Sequence, residues 1–78
     1  MINKLSNIPI LDYRRFLTHL GCKKYKVNGG HEHWTRTDFI RPITFQTHKD
    51  PVPEFIVKQH AAILGFTKND FISAFNKM

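Results

Sequence analysis

The sequence is poor in cysteine, which excludes two classes of small protein. Cys22 is the only cysteine among 78 residues, so the chain has neither a disulfide framework nor a cysteine-based zinc knuckle. A lone thiol of this kind behaves as a small hydrophobe. We expect Cys22 to be buried or half-buried in a protein of a reducing compartment.

Long apolar runs are also missing. No stretch approaches the roughly 20 apolar residues that span a bilayer, and the N-terminus lacks the apolar core and small-residue cleavage site of a signal peptide. There are no repeats, no low-complexity segments and no long linkers. We therefore expect a cytoplasmic protein without a membrane partner. It should form one domain over residues 1–78, with a thin core and no room for a separate cofactor domain.

Acidic residues are scarce relative to basic ones. Six Asp and Glu stand against twelve Lys and Arg, which gives a net charge of +6. The segment from Gly21 to Lys49 carries six of the basic and two of the acidic residues, and therefore +4 of this charge. Clustered positive charge favours a polyanion such as nucleic acid. Equally, lysines can solvate an exposed strand edge and discourage aggregation.

Three helical patterns flank this basic segment. A 3.6-residue period predicts a first helix over residues 9–20, which Gly21 ends. A second helix starts at the proline-rich residues 50–53 and runs to about Leu64. A capping box at residues 67–70 opens a third helix. The predicted apolar faces are Ile10, Tyr13, Phe16, Leu17 and Leu20 in the first helix, Val52, Ile56, Ile63 and Leu64 in the second, and Phe71, Ala74, Phe75 and Met78 in the third.

The helical period disappears between the first two helices, where a hairpin is predicted. Residues 24–28 read as a strand, with Lys24 and Lys26 on one side of it. Asn28-Gly29-Gly30 then predicts a tight turn, because such turns need residues that tolerate positive φ. The return strand covers residues 31–36. Its alternation places His31, His33 and Thr35 on one face and Glu32, Trp34 and Arg36 on the other.

A third strand over residues 41–47 completes the predicted fold. Ile43 and Phe45 face away from Thr44, Gln46 and His48. The order α-β-β-β-α-α predicts an α+β domain, in which a three-stranded antiparallel meander has helices packed on one face. The residues that we expect in the core are Phe16, Leu17, Leu20, Ile43, Phe45, Ile56 and Ile63.

The stretch His31-Glu32-His33 has three interpretations. Histidines two apart on a strand point the same way, so His31, His33 and His48 could converge on a metal ion. Zinc usually takes four ligands, however, and no further ligand stands at a convincing spacing. We therefore predict no metal. A hairpin that is merely rich in histidine, and a catalytic site, are the alternatives.

A histidine can act as general acid or base without a metal, because imidazole titrates near neutrality. Among lysines this chemistry suits RNA, in which the 2′-hydroxyl is deprotonated and attacks its own phosphodiester. Trp34 could stack on a base, although it is more commonly a core anchor. His60 lies in the apolar arc of the second helix, where a hydrogen-bonded core histidine is expected.

Several short motifs resemble the HicA family, the small ribonuclease toxins of HicA–HicB toxin–antitoxin modules. Gly30-His31-Glu32-His33-Trp34 resembles the Gly-Ser-His-x-x-aromatic signature of that family. The segments "LGC", "ITFQTH" and "ILGFTKNDF" resemble its helix ending, its strand ending in Pro-x-His and its C-terminal segment, so the resemblance covers nearly the whole chain. The chain departs from the pattern at Gly30, where the family has Ser, and at Gln46, where it has Pro.

The resemblance implies a fold like that of double-stranded-RNA-binding domains and an mRNA endonuclease (a stress-response hydrolase) inhibited by a HicB-like antitoxin. The family's catalytic histidine falls on His31, and its strand-three histidine on His48. We expect metal-independent cleavage without a small-molecule cofactor, His31 being essential and His33 or His48 assisting. Loss of the serine hydroxyl predicts lowered activity or an altered substrate choice. The residues expected to bind RNA are Lys24, Lys26 and Arg36, more weakly Arg41 and Lys49, and Gly30 through its backbone.

Two competing functions are consistent with the residues. One is a non-catalytic basic module that holds RNA or a protein partner, and the other is a metal-dependent nuclease. RNA cleavage with and without EDTA, together with a His31→Ala variant, distinguishes all three.

Overall fold

The computed structural model describes all 78 residues and has the element order that the sequence predicts. The three strands form one antiparallel sheet in the order β1-β2-β3. This confirms an α+β protein with a three-stranded meander. The elements are α1 (Ile10–His19), β1 (Lys23–Asn28), β2 (His31–Thr35), β3 (Ile43–Gln46), α2 (Glu54–Leu64) and α3 (Lys68–Asn76).

A two-residue turn joins β1 to β2, as predicted. Asn28 pairs with His31, and the two residues between them, Gly29 and Gly30, have φ values of 61° and 79°. An added Cβ would meet nothing within 4 Å at either glycine. Glycine is therefore favoured here by its backbone conformation alone and not by crowding.

Strand β1 contains an irregularity that changes which lysines share a face. The register shifts between Lys24 and Lys26, so that Lys24 lies opposite Trp34 and Lys26 lies opposite His33. Adjacent residues of β2 point to opposite faces of the sheet, and residues paired across strands point to the same face. The prediction that Lys24 and Lys26 lie on one side is therefore wrong, because a β-bulge inserts an extra residue between them.

The helices cover one face of the sheet. Trp34, Ile43 and Phe45 are buried on that face, whereas His33 and Thr44 on the opposite face are only partly covered. The predicted assignment of Ile43 and Phe45 to the core is confirmed. The same assignment is confirmed for Phe16 and Leu17.

An aromatic cluster joins α1, α3 and the sheet. The Tyr13 ring contacts Phe45 edge-on at 5.3 Å between centroids, and Phe16 packs against Phe71 and Phe75 at 4.9 and 5.1 Å. Phe71 and Phe75 belong to the predicted apolar face of α3, which the predicted Thr67–Asp70 capping box opens. Met78, also predicted on that face, is exposed.

The predicted apolar face of the second helix is confirmed at Val52 and Leu64 but not at Ile56 and Ile63. Ile56 and Ile63, as well as Leu20 of the first predicted face, are only partly buried and pack at the margin of the core. The buried residues of α2 are Val57, His60, Ala61 and Leu64. The buried stripe includes His60, as expected, and both of its ring nitrogens have hydrogen-bond partners inside the core.

Residues 1–8, for which the sequence pattern made no prediction, contribute two side chains to the core. Leu5 and Ile8 are fully buried, and Ile8 forms a bridge with Val52 just before α2. The N–H group of Ile10, at the start of α1, donates to Asp50 Oδ1 at 3.0 Å. The connection between β3 and α2 is thus fixed to the N-terminal segment. None of the helices is long and apolar enough to cross a bilayer.

Candidate functional site

His31 is the first residue of β2 and is exposed. Its Nδ1 lies 3.2 Å from the Gly29 carbonyl oxygen. Because a carbonyl only accepts hydrogen bonds, Nδ1 must carry the proton in this contact. A neutral His31 then has an unprotonated Nε2 that is free of any hydrogen bond within the protein. The contact with the hairpin turn therefore favours the tautomer in which Nε2 is the unprotonated nitrogen of the neutral ring.

His33 lies on the same face two residues further along β2. It is partly buried, and its Nδ1 contacts the Thr44 hydroxyl of β3 at 3.0 Å. Its ring also lies near that of Tyr25, with 6.1 Å between centroids. Two residues along a strand are separated by roughly 6.6 Å, so His31 and His33 can face adjacent groups of one extended ligand.

His48 lies beyond the sheet. It occupies the turn that follows β3 and is exposed, and no hydrogen bond connects it to His31. The preceding residue extends the pairing, because Thr47 N–H donates to the Gly30 carbonyl oxygen at 2.9 Å. The structure contains no group of three His, Cys, Asp or Glu side chains that could hold one metal ion. The three histidines are therefore not arranged as a metal centre.

A groove of about 310 Å³ opens beside His31, between β3 and the start of α2. We call it the β3 groove. It contains one cation, Lys49, one exposed aromatic ring, Phe55, and no carboxylate. A larger depression of about 660 Å³ on the outer side of α1 has none of the predicted site residues in its lining. The β3 groove is lined by His31, Thr44, Phe45, Gln46, Lys49, Pro53, Phe55 and Ile56.

The predicted phosphate-binding residues are dispersed over the molecule. Lys49 alone lies in the β3 groove with His31. Arg41 precedes β3 and lines a separate depression beside His60. Lys24 and Lys26 belong to β1 at the other edge of the sheet, and only Lys26 is paired with the face that carries His33. The sequence ranked Lys49 among the weaker candidates, although it is the cation next to His31.

The Arg36 side chain is engaged in contacts within the protein. Its guanidinium forms two hydrogen bonds with the Asp38 carboxylate at 2.6 and 2.9 Å and donates to the Leu20 carbonyl oxygen at 2.8 Å. It also lies 4.9 Å from the centre of the Phe39 ring. The hydrogen bonds that Arg36 donates to the Asp38 carboxylate raise the pKa of Arg36 further above its ordinary value. These contacts join the end of α1 to the loop after β2.

The residue between the two histidines, Glu32, is completely buried. Its carboxylate accepts hydrogen bonds from Arg14 at 2.7 Å, from the Thr47 hydroxyl and from the Trp34 indole at 2.8 Å. Burial by itself raises the pKa of Glu32, but the hydrogen bonds from Arg14, Thr47 and Trp34 outweigh it and hold the pKa below its ordinary value. The sequence did not reveal this network. The feature of the sequence that could have indicated it is the position of Glu32, a charged residue, on the same strand face as Trp34.

Trp34 is a core residue and cannot stack on a base. Its side chain is buried, and its indole N–H is engaged by Glu32. This confirms the core-anchor interpretation. Cys22 is also buried, as predicted, and its burial raises its pKa. Neither residue is available to a ligand.

His60 is a hydrogen-bonded core histidine, as predicted. It is 2% exposed. Its Nδ1 accepts from the Tyr13 hydroxyl at 2.6 Å, and its Nε2 donates to the Thr44 carbonyl oxygen at 3.0 Å. Burial lowers the pKa of His60 to about 4, so the ring is neutral at pH 7. His60 thereby supplies a hydrogen bond to a carbonyl group of β3, which is an edge strand of the sheet.

Comparison with known proteins gives no match: no family model, no curated protein and no solved structure is significantly similar to the chain.

Proposed function

We propose that this protein is a HicA-like toxin, an endoribonuclease that cleaves mRNA without a metal and uses His31 as general base. One observation carries the proposal. His31 is exposed beside the β3 groove, and its Nδ1 contact with Gly29 leaves Nε2 free of hydrogen bonds within the protein and makes it the basic nitrogen of the neutral ring. A general base must reach the proton that it abstracts, and an accessible ring nitrogen at the end of a strand meets that requirement.

The proposed reaction begins at Nε2 of His31. This nitrogen takes the proton of a ribose 2′-hydroxyl, and the resulting oxygen attacks the adjacent phosphorus. The P–O bond to the 5′-oxygen of the next nucleotide then breaks, which leaves a 2′,3′-cyclic phosphate and, after protonation, a 5′-hydroxyl. Lys49 lies in the same groove and neutralises the charge that grows on the phosphoryl oxygens.

His33 is the better placed of the two assisting histidines. It shares the face of His31 two residues away, and its contact with the Thr44 hydroxyl fixes the ring. It would protonate the 5′-oxygen that leaves. His48 lies in the turn after β3 and has no contact that fixes its ring towards the groove.

The remaining parts of the proposal rest on the sequence motifs. The likeness to double-stranded-RNA-binding domains, and inhibition by a HicB-like antitoxin, follow from the resemblance of Gly30–Trp34 and the other segments to the HicA family. The observed α-β-β-β-α-α order is consistent with such a fold. The excess of basic over acidic residues between Gly21 and Lys49 supports a polyanionic substrate.

The test is cleavage of a defined RNA in EDTA by the wild type and by His31→Ala, with analysis of the product ends. A positioned general base contributes roughly 10²–10⁴-fold, so we expect His31→Ala to lose activity by about that factor. Its thermal unfolding should be unchanged, because the side chain is exposed. His19→Ala, an exposed histidine on α1, is the matched control and should cleave like the wild type.

Two results would contradict the mechanism. One is a product with a 3′-hydroxyl, and the other is full activity of His31→Ala. Wild-type activity that EDTA abolishes would favour a metal-dependent nuclease. RNA binding without cleavage would favour the non-catalytic module.

A further inference from the structure

We propose that the β3 groove binds one unpaired nucleobase next to the cleaved phosphodiester, with the ring of Phe55 as its stacking surface. The proposal rests on the proposed function, because it assigns the groove to the RNA substrate of His31. It makes single-stranded RNA the substrate and gives the site a means of discriminating among bases.

The first reason is the exposure of Phe55. Phe55 is 64% exposed, although it is the second residue of α2 and Val57, two residues later, is fully buried. Phe55 is the only exposed phenylalanine among the seven in the chain. A large exposed aromatic ring interacts only weakly with water, whereas the face of an unpaired base can stack on it.

The second reason is the composition of the groove around this ring. Gln46 is paired with His31 across β2 and β3, and its exposed amide has both donors and an acceptor for the edge of a base. Lys49 supplies the single positive charge, and no carboxylate lines the groove to repel a phosphate. Ring, amide and cation therefore match the three parts of a nucleotide that proteins contact: the base face, the base edge and the phosphate.

The third reason is size. The volume of about 310 Å³ lies at the lower limit of small-molecule sites, which span roughly 300–1,000 Å³. A groove of this volume suits one nucleotide unit and is too small for a duplex. A base within an A-form helix is paired and stacked on both sides, so it cannot reach Phe55 unless the duplex opens.

The experiment measures binding rather than cleavage. The probe is a short, fluorescently labelled 2′-O-methyl RNA, which has no free 2′-hydroxyl and is not cleaved, used as a single strand and as a duplex. Anisotropy gives the affinities of the wild type, Phe55→Ala, Phe55→Trp and Leu11→Ala. Leu11 is a matched control because it is 67% exposed and lies outside the β3 groove.

We expect the wild type to bind the single strand more tightly than the duplex. Because stacking of one base on an aromatic ring contributes about 1–3 kcal/mol, Phe55→Ala should bind the single strand about 5- to 150-fold more weakly. Phe55→Trp should retain the affinity, and RNA should quench its added fluorescence, since the native Trp34 is buried. Leu11→Ala should bind like the wild type. Gln46→Ala should reduce the difference in affinity among strands that vary in base sequence.

Failure of this inference is distinguishable from failure of the proposed function. Unchanged single-strand affinity in Phe55→Ala overturns the inference, even where His31→Ala abolishes cleavage. Conversely, a large affinity loss in Phe55→Ala supports the base-binding groove even where His31→Ala remains active. Equal binding of single strand and duplex by the wild type overturns the inference as well.

Discussion

Single residues of one type have opposite roles in this protein, as His31 and His60 illustrate. His31 is exposed, and only its Nδ1 has a partner within the protein. His60 is buried, and both of its ring nitrogens have partners, Tyr13 and the Thr44 carbonyl group. Imidazole therefore keeps one ring nitrogen free in one environment and forms a structural connection in the other. The difference comes from the surroundings and not from the residue type.

The lowered pKa of His60 predicts that the protein loses stability in mild acid. Its pKa is about 4 in the folded protein and 6.5 in the unfolded chain, so between these values the unfolded chain binds a proton that the folded protein does not. The free energy of unfolding should therefore fall as the pH is lowered from about 6.5 to about 4, by at most roughly 3 kcal/mol. Urea unfolding across this pH range measures the effect.

The variants that isolate this effect are His60→Gln and His19→Gln. His60→Gln should be less stable at pH 7 but should lose most of the pH dependence in that window. His19→Gln, at an exposed position of α1, should leave the pH dependence of stability unchanged. An undiminished slope in His60→Gln would contradict the assignment. The folded pKa of Glu32 is lowered, so its own stabilising contribution is lost only at more acidic pH.

At the scale of elements, the β1–β2 turn determines where His31 is presented. Gly30 has a φ of 79° and free space around its Cα, so a replacement side chain encounters only the cost of the left-handed backbone. We expect Gly30→Ala to reduce the free energy of unfolding by about 1–2 kcal/mol. Gly30→Asn should cost less, because Asn tolerates this conformation. Urea unfolding at pH 7 is the measurement, and equal stability of Gly30→Ala and the wild type would show that the turn relaxes.

The bulge in β1 divides its two lysines between the faces of the sheet. Lys26 is paired with the His33 face, and Lys24 with the Trp34 face. Each lost phosphate contact reduces the slope of log affinity against log salt by roughly 0.7 for single strands. We expect Lys26→Ala to show about this reduction and Lys24→Ala a much smaller one. Titration of the 2′-O-methyl RNA at several salt concentrations tests this, and equal slopes for both variants would contradict the division.

At the scale of the whole molecule, the N-terminal segment completes the core. Leu5 is 1% exposed, whereas Leu11 is 67% exposed. Replacement by Ala at both positions therefore compares a buried leucine with an exposed one. We expect Leu5→Ala to cost about 2–5 kcal/mol and Leu11→Ala to remain within about 0.5 kcal/mol of the wild type. Chemical denaturation of both variants is the check. A small effect at Leu5 would indicate that the segment is detachable from the domain.

The sequence by itself determined the local structure of this protein. Periodicity predicted three helices and the buried face of β3, because the spacing of Phe16, Leu17, Ile43 and Phe45 depends only on the geometry of each element. Glycine identified the hairpin turn, since positive φ is a local requirement. The exposed position of His31 followed from that turn. These features need no information about distant parts of the chain.

Only the tertiary structure decided how distant residues meet. The bulge in β1 depends on pairing with β2, and the burial of Glu32 depends on Arg14 and Thr47, which are 18 and 15 residues away. The β3 groove likewise forms only when the start of α2 lies beside β3, which brings Phe55 and Lys49 to His31. A sequence pattern reports which residues share an element. The contacts between elements depend on packing, and packing is fixed only when the whole core forms.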